Sequence, residues 1–89
     1  MSGINPELWE FPCEHNLKVM GSSQAPMISI VTEIVRKHAA DFDESRITVK
    51  ESRTGKYHSI TAIVRVTDKE QVESIYRELG EHEHVAWTL

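Results

Sequence analysis

Alternating apolar and polar residues predict four β-strands in this chain. The alternation runs through residues 17–20, 45–53, 57–66 and 85–89. A break at residues 53–56, which include a glycine, separates the second strand from the third. Two alternating segments joined by so short a polar turn are typical of a β-hairpin.

The stretch from Pro26 to Ala40 has a different period and predicts an amphipathic helix. Its apolar residues recur every three or four positions, and charged residues occupy the other faces. A proline is tolerated in the first helical turn because the amide that it lacks would have no intrahelical partner there. Ser22 or Ser23 is expected to cap the exposed amides at the start of this helix.

A second amphipathic helix is predicted after the hairpin. It is expected to begin at Thr67, which forms a Ser/Thr-x-x-Glu capping box with Glu70, and to end at Gly80 in a left-handed conformation. Its apolar residues have the spacing of one buried helix face. These residues are Val72, Ile75, Tyr76 and Leu79.

The order βαββαβ predicts an α+β fold of the ferredoxin-like type. In this sandwich the antiparallel sheet has strand order 4-1-3-2, both helices cover one sheet face, and each crossover is right-handed. We expect residues 13–89 to form this single domain. Residues 1–12 lack a sustained period and are expected to form an N-terminal arm whose apolar residues Leu8, Trp9 and Phe11 pack on the domain.

The second sheet face has no helix to cover it in this fold. Because it includes Met20 and Ile63, it is less polar than a fully hydrated face, and either the N-terminal arm or a partner is expected to lie across it. Open faces and short edge strands also make a homodimer a possible assembly. The residues assigned to this face are Lys18, Met20, Thr48, Lys50, Ser59, Thr61, Ile63, Arg65, Ala86 and Thr88.

Composition and charge narrow the class of protein. The 89 residues are 39% hydrophobic and 27% charged, which is typical of one small globular domain. A net charge of -4 argues against nucleic-acid binding, and the expected open face also lacks aromatics for base stacking in its first and third strands. A single cysteine and no signal peptide or membrane-length apolar run lead us to expect a cytoplasmic protein without membrane attachment.

Histidine is the residue type best suited to chemistry in this sequence, but its placement argues against an enzyme. Cys13 and His15 could supply zinc ligands together with His82 and His84. In the predicted topology these two pairs lie at opposite ends of the sheet. Because no recognised catalytic or nucleotide-binding motif occurs either, we expect no catalytic residues, no metal site and no cofactor.

One end of the predicted sheet gathers residues suited to binding a small anion or a carboxylate. Helix-end amides, hydroxyls and cationic side chains all favour negative charge there. The alternative is structural: Gly55 makes the turn, Tyr57 packs at the rim of the core and the charges are hydrated. The candidate residues are Gly21, Ser22, Ser23, Arg53, Lys56, Tyr57, His58 and Ser59.

Several short motifs resemble those of the YbeD-like family of small bacterial proteins. They are Phe11-Pro12, Lys18-Val19-Met20-Gly21, Ser52, Gly55-Lys56-Tyr57-His58-Ser59, Gln71-Val72-Glu73, Tyr76, Leu79 and Leu89. The resemblance implies a ferredoxin-like sandwich similar to ACT-type domains, which regulate metabolic enzymes by binding small molecules. It therefore implies a non-catalytic regulatory or protein-partner module, with a stand-alone binder of a small anionic metabolite as the alternative.

Overall fold

Two helices pack on one face of a four-stranded antiparallel sheet in the computed structural model, which describes residues 10–88. The sheet order is β2-β3-β1-β4, which confirms the predicted order and the ferredoxin-like fold. A single 3-10 turn, Glu44–Arg46, precedes the second strand. The elements are β1 (Cys13–Ser22), α1 (Met27–His38), β2 (Ile47–Glu51), β3 (Tyr57–Val66), α2 (Lys69–Glu81) and β4 (Val85–Thr88).

The longest pairing joins β1 to β3. It runs without interruption from Cys13 opposite Val66 to Ser22 opposite Tyr57. Strand β1 is therefore longer than the short strand that the sequence predicts. The reason is that its first half offers polar or weakly apolar residues, such as His15, at positions that face the helices, so the alternation there is hard to see.

The core lies between the helices and one side of the sheet. Its sheet side chains alternate along β1 and β3, so the opposite side chains form a face that neither α1 nor α2 covers, as predicted. The core residues include Leu17, Val19, Ile60, Ala62, Val64, Val66, Met27, Val31, Val35, Val72, Ile75 and Leu79. We call the uncovered side the open face; it carries Glu14, Asn16, Lys18, Met20, Ser22, Thr48, Lys50, Tyr57, Ser59, Thr61, Ile63, Arg65 and Trp87.

The start of α1 differs from the prediction. No side chain caps this helix, so the expected cap by Ser22 or Ser23 is wrong. The Ser22 hydroxyl instead accepts a hydrogen bond from the Gln24 amide at 3.1 Å, in the turn before the helix. The helix begins at Met27, and the carbonyl oxygen of Pro26 accepts its first hydrogen bond, from the Ile30 amide at 3.0 Å.

The capping residue of helix α2 lies one residue later than the predicted Thr67, and the helix runs past Gly80. Asp68 is the capping residue, and its carboxylate accepts from the Gln71 amide at 2.8 Å, while the Gln71 side chain accepts from the Thr67 amide at 2.6 Å. The expected left-handed end at Gly80 is wrong. The helix continues to Glu81 and closes with a hydrogen bond from His82 to Leu79, so its last carbonyls need no left-handed glycine.

Strand β4 contains an irregularity that changes which side chains face outward. Met20 pairs with Trp87, but the adjacent Gly21 pairs with Val85, which leaves Ala86 as an extra residue on β4. Trp87 therefore lies on the open face, and the expected placement of Thr88 there is wrong, since the partner of Thr88 is a core residue of β1. Ala86 has no partner on β1 and is exposed.

The N-terminal arm is only partly covered by the structure. Phe11 is half-buried against the core, in keeping with an arm that packs on the domain. Leu8 and Trp9, as well as Leu89 at the end of the predicted last strand, lie outside the described residues. Among residues 10–88, neither helix is long and apolar enough to cross a membrane.

The fold makes α2 essential for stability. Leu79 is fully buried, so Leu79→Ala should lower the free energy of unfolding by about 2–5 kcal/mol, through lost burial and the cavity left behind. Urea denaturation followed by circular dichroism would measure this change. Ile28→Ala is the control, because Ile28 is 42% exposed and its truncation should cost under about 0.5 kcal/mol. Equal effects of the two substitutions would contradict the placement of α2.

Candidate functional site

The eight residues of the predicted site do come together at one end of the sheet. They lie where β1 ends and β3 begins, around the turn formed by residues 52–56. Proximity alone does not make them a binding site. They can bind an anion only if their hydrogen-bond donors are not already used within the protein. The contacts are Gly21 opposite His58, Ser22 opposite Tyr57, Ser59 opposite Met20, and the Ser23 amide donating to the Lys56 carbonyl oxygen at 3.0 Å.

The backbone amides of the segment just before α1 are already used by the fold. The Ser22 amide donates to the carbonyl oxygen of His84 at 3.3 Å, and the Ser23 amide donates to that of Lys56. The Gln24 amide is taken by the Ser22 hydroxyl. These donors tie β1 to its two neighbouring segments, so they are not free to hold a ligand.

The space over Gly21 is also filled. A Cβ atom at this position would lie 2.4 Å from the side chain of Met27 and 2.8 Å from the carbonyl oxygen of His84. Gly21 is therefore required for close packing of α1 and of the segment before β4 against β1. This arrangement supports the structural role for Gly21.

The turn of the hairpin has a structural role for its glycine as well. Gly55 has a φ of 76°, a left-handed conformation that favours glycine. The turn is closed by Ser52, whose amide donates to the Tyr57 carbonyl oxygen at 2.8 Å and whose hydroxyl accepts from the Tyr57 amide at 3.1 Å. Arg53 and Lys56 lie exposed on this turn.

The most unusual surface feature is an aromatic pair at this end of the open face. The rings of Tyr57 and Trp87 have centroids 5.5 Å apart and are tilted by 54°. Tyr57 is 36% exposed and Trp87 is 44% exposed. Tyr57 is thus not packed at the rim of the core, as one interpretation of the sequence expected, and the open face does carry aromatic side chains.

Polar and cationic residues continue from the aromatic pair across the sheet. Strand pairing places Trp87, Met20, Ser59 and Lys50 in one row across the four strands. Lys18 lies in the adjacent row, two residues along β1 from Met20. The lysines are exposed, whereas Met20 and Ser59 are half-buried. The open face therefore combines an aromatic pair at one end with two exposed lysines, Lys18 on β1 and Lys50 on β2.

His15 has an environment that the sequence analysis did not predict. Its Nε2 atom shares a hydrogen bond with the Tyr76 hydroxyl at 2.6 Å, beneath α2. Burial lowers the pKa of His15 and raises the pKa of Tyr76. The signal was present, because His15 has the same parity on β1 as Leu17 and Val19. Tyr76 is half-buried and not fully buried as predicted.

The other histidines and the cysteine do not converge on one site. Cys13 and His15 begin β1, whereas His82 and His84 precede β4, whose first residue pairs near the opposite end of β1. A separate polar hollow of about 370 Å³ lies near Cys13. Its two arginines face two carboxylates, so it has no strong preference for either sign of charge. It is lined by Pro12, Cys13, Glu14, Asp41, Arg46 and Arg65.

Comparison with known proteins places this fold and sequence in a family. Residues 6–89 match the family described as "Protein of unknown function (DUF493)". The chain belongs to this family. The resemblance to YbeD-like proteins that the motifs predicted is thereby confirmed.

DUF493 relatives and a solved structure match nearly the whole chain. A UPF0250 protein of Chromobacterium violaceum is 37% identical over 89 residues, covering 100% of both chains. A UPF0250 protein of Edwardsiella ictaluri is 44% identical over 84 residues, covering 93% of each. The solution structure of protein HP0495 from H. pylori has a TM-score of 0.74 at 17% identity, covering 91% of this chain and 85% of that one, which supports the fold.

The environment of His15 predicts a pH dependence of stability. Because the folded protein holds the pKa of His15 below the model-peptide value of about 6.5, the unfolded chain binds more protons below that pH. The free energy of unfolding should then decrease as pH falls from 6.5 toward the pKa of His15 in the folded protein. The stability that comes from the lowered pKa of His15 is fully present above pH 6.5. His15→Gln should remove this part of the pH dependence.

Urea denaturation of both proteins between about pH 7.5 and about pH 5.5 would measure the effect in the range where histidine titrates. The carboxyl of Glu78 does not interfere, because its hydrogen bond with His38, and then that with Lys37, lower its pKa from 4.5. Parallel pH profiles for the wild type and His15→Gln would contradict a lowered pKa of His15 in the folded protein.

Close packing at Gly21 predicts that even alanine is poorly tolerated there. Gly21→Ala should lower the free energy of unfolding by about 1–3 kcal/mol, because the new methyl group displaces both the Met27 side chain and the His84 backbone. Adding Met27→Ala should not restore stability, since the clash with the carbonyl oxygen remains. Gly80→Ala is the matched control, because nothing lies within 4 Å of its Cβ position. Full stability of Gly21→Ala in thermal melts would disprove this packing.

Proposed function

We propose that this protein is a non-catalytic module that binds a protein partner through its open face, as a regulatory domain similar to the ACT type. The observation that carries the proposal is the exposed pair of Tyr57 and Trp87 on the sheet face opposite α1 and α2. Large aromatic side chains supply much of the binding energy at protein interfaces, because they bury a wide apolar area with little loss of conformational freedom.

The non-catalytic part of the proposal is supported by what the histidines contact. His15 shares a hydrogen bond with Tyr76 under α2, and His38 is hydrogen-bonded to Glu78 between the two helices. Both pairs join elements of the fold. An imidazole that acts as a general base needs access to a substrate proton as well as an orienting partner.

Two alternative functions, binding of a small anion and self-association, have weaker support. A small anionic metabolite could be attracted by Arg53 and Lys56, but the amides beside them are already hydrogen-bonded within the protein. Self-association through the edge strands β2 and β4 would form only a short pairing, because both strands are short. We therefore favour a protein partner on the open face over either alternative.

Trp87→Ala should abolish partner capture without unfolding the protein, because Trp87 is 44% exposed. Tagged wild type, Trp87→Ala and Ile28→Ala would be incubated with lysate of Chromobacterium violaceum, whose own relative is 37% identical to this chain. Quantitative mass spectrometry should find the same proteins retained by the wild type and by the Ile28→Ala control, and lost with Trp87→Ala. Retention that does not depend on Trp87 would refute the proposal, and so would recovery of small anions alone.

A further inference from the structure

The open face is cationic although the protein as a whole is acidic. The chain has a net charge of -4. Within the described residues the charged side chains of this face are Lys18, Lys50, Arg65 and Glu14. The single carboxylate among them, that of Glu14, is paired with Arg46 at 2.6 Å. The lysines thus provide positive charge that no acidic neighbour on the same face neutralises.

The spacing of these features suits an extended polypeptide. Trp87 and Lys50 stand at the two ends of one row across the sheet, three interstrand spacings or about 14 Å apart. Four residues of extended chain span about 13 Å, and side chains separated by four residues point to the same side. The half-buried Met20 and Ser59 lie between them.

We infer that the open face binds an extended acidic segment of another protein. An apolar side chain of the segment packs against the Tyr57–Trp87 pair, and a carboxylate four residues away lies at Lys50, with Lys18 beside it. This inference rests on the proposed function and specifies the chemistry of the partner. Charge complementarity sets the direction of the segment and accelerates its encounter with the face.

A second copy of this chain is a poor occupant. In a twofold dimer the same patch serves on both subunits, so packing the two open faces against each other would place Lys18 and Lys50 of both subunits in one interface. The apolar ends could be buried only at the cost of that repulsion. Like charges opposed across an interface oppose association unless counter-charges separate them.

Single-stranded nucleic acid is also less suited to this face. Sheet surfaces that bind RNA stack successive bases on separate aromatic side chains. Here the two rings contact each other at one end of the face, and the positions next to them along β1 and β3 are Met20, Ser59 and Thr61. The chain's net charge of -4 further weakens attraction to a phosphate backbone.

A synthetic peptide would test this inference directly. The probe is a short peptide with one leucine followed four residues later by glutamate, among further glutamates, and the control peptide carries glutamine in their place. Titration into the ¹⁵N-labelled full chain should shift the amides of Met20 and Ser59 and the indole of Trp87. Lys18→Glu with Lys50→Glu should weaken the affinity at least about tenfold.

Lys69→Glu combined with Lys37→Glu is the matched control, because it makes the same change in net charge on the helices. It should alter the affinity less than about twofold, the size expected for charges outside the contact. The inference would be overturned if the glutamine peptide bound as tightly as the glutamate peptide. It would also be overturned if the Lys18→Glu, Lys50→Glu variant bound the glutamate peptide as tightly as the wild type does. Shifts produced only by oligouridine, or by raising the protein concentration alone, would overturn it as well, in favour of nucleic acid or a second copy.

These outcomes are distinct from failure of the proposed function. Loss of partner capture by Trp87→Ala together with normal capture by the lysine variant would leave a partner on the open face but remove its acidic character. Binding of the acidic peptide that shifts the amides on the open face and depends on Trp87 and the lysines would support both.

Discussion

The uninterrupted pairing of β1 with β3 is the constraint on which the other features of this fold depend. It joins ten residues of each strand, from Cys13 opposite Val66 to Ser22 opposite Tyr57. A slip of one residue would move every core side chain of one strand to the wrong face. Because β3 carries alternating apolar residues along most of this length and β1 adds Leu17 and Val19 on the same side, burial of one face selects a single register. The helices cover that face, and the remaining side chains form the open one.

The irregularity in β4 decides the character of the open face. Ala86 is accommodated as an extra residue between the partners of Met20 and Gly21, so Trp87 is turned away from the core and toward Tyr57. Gly21 permits this arrangement, because the His84 backbone and the Met27 side chain both approach within the space that a Cβ atom would need. The glycine that the sequence analysis assigned to ligand binding instead enables the close packing beside the aromatic pair.

Most of the fold could be predicted from the sequence because it depends on periodic patterns. The spacing of Val72, Ile75 and Leu79 identifies the buried face of α2, and all three are buried. The orientation of Trp87 could not be predicted, since strict alternation from Val85 carries it to the core side and no residue signals the extra position. Tyr57 is different: it shares the parity of Ser59, so its place on the open face could have been predicted.

The uneven distribution of charge links the fold to the proposed binding. Residues 68–83, in and around α2, contain six acidic and two basic side chains, whereas the charged residues of the open face are mostly basic. The region around α2 repels an acidic partner and the open face attracts it, so the electrostatic field of the whole molecule would orient the partner before contact. Net charge alone therefore describes this protein poorly. The sheet separates the acidic residues around α2 from the basic residues of the open face. The Tyr57–Trp87 pair adds an apolar contact site to the open face.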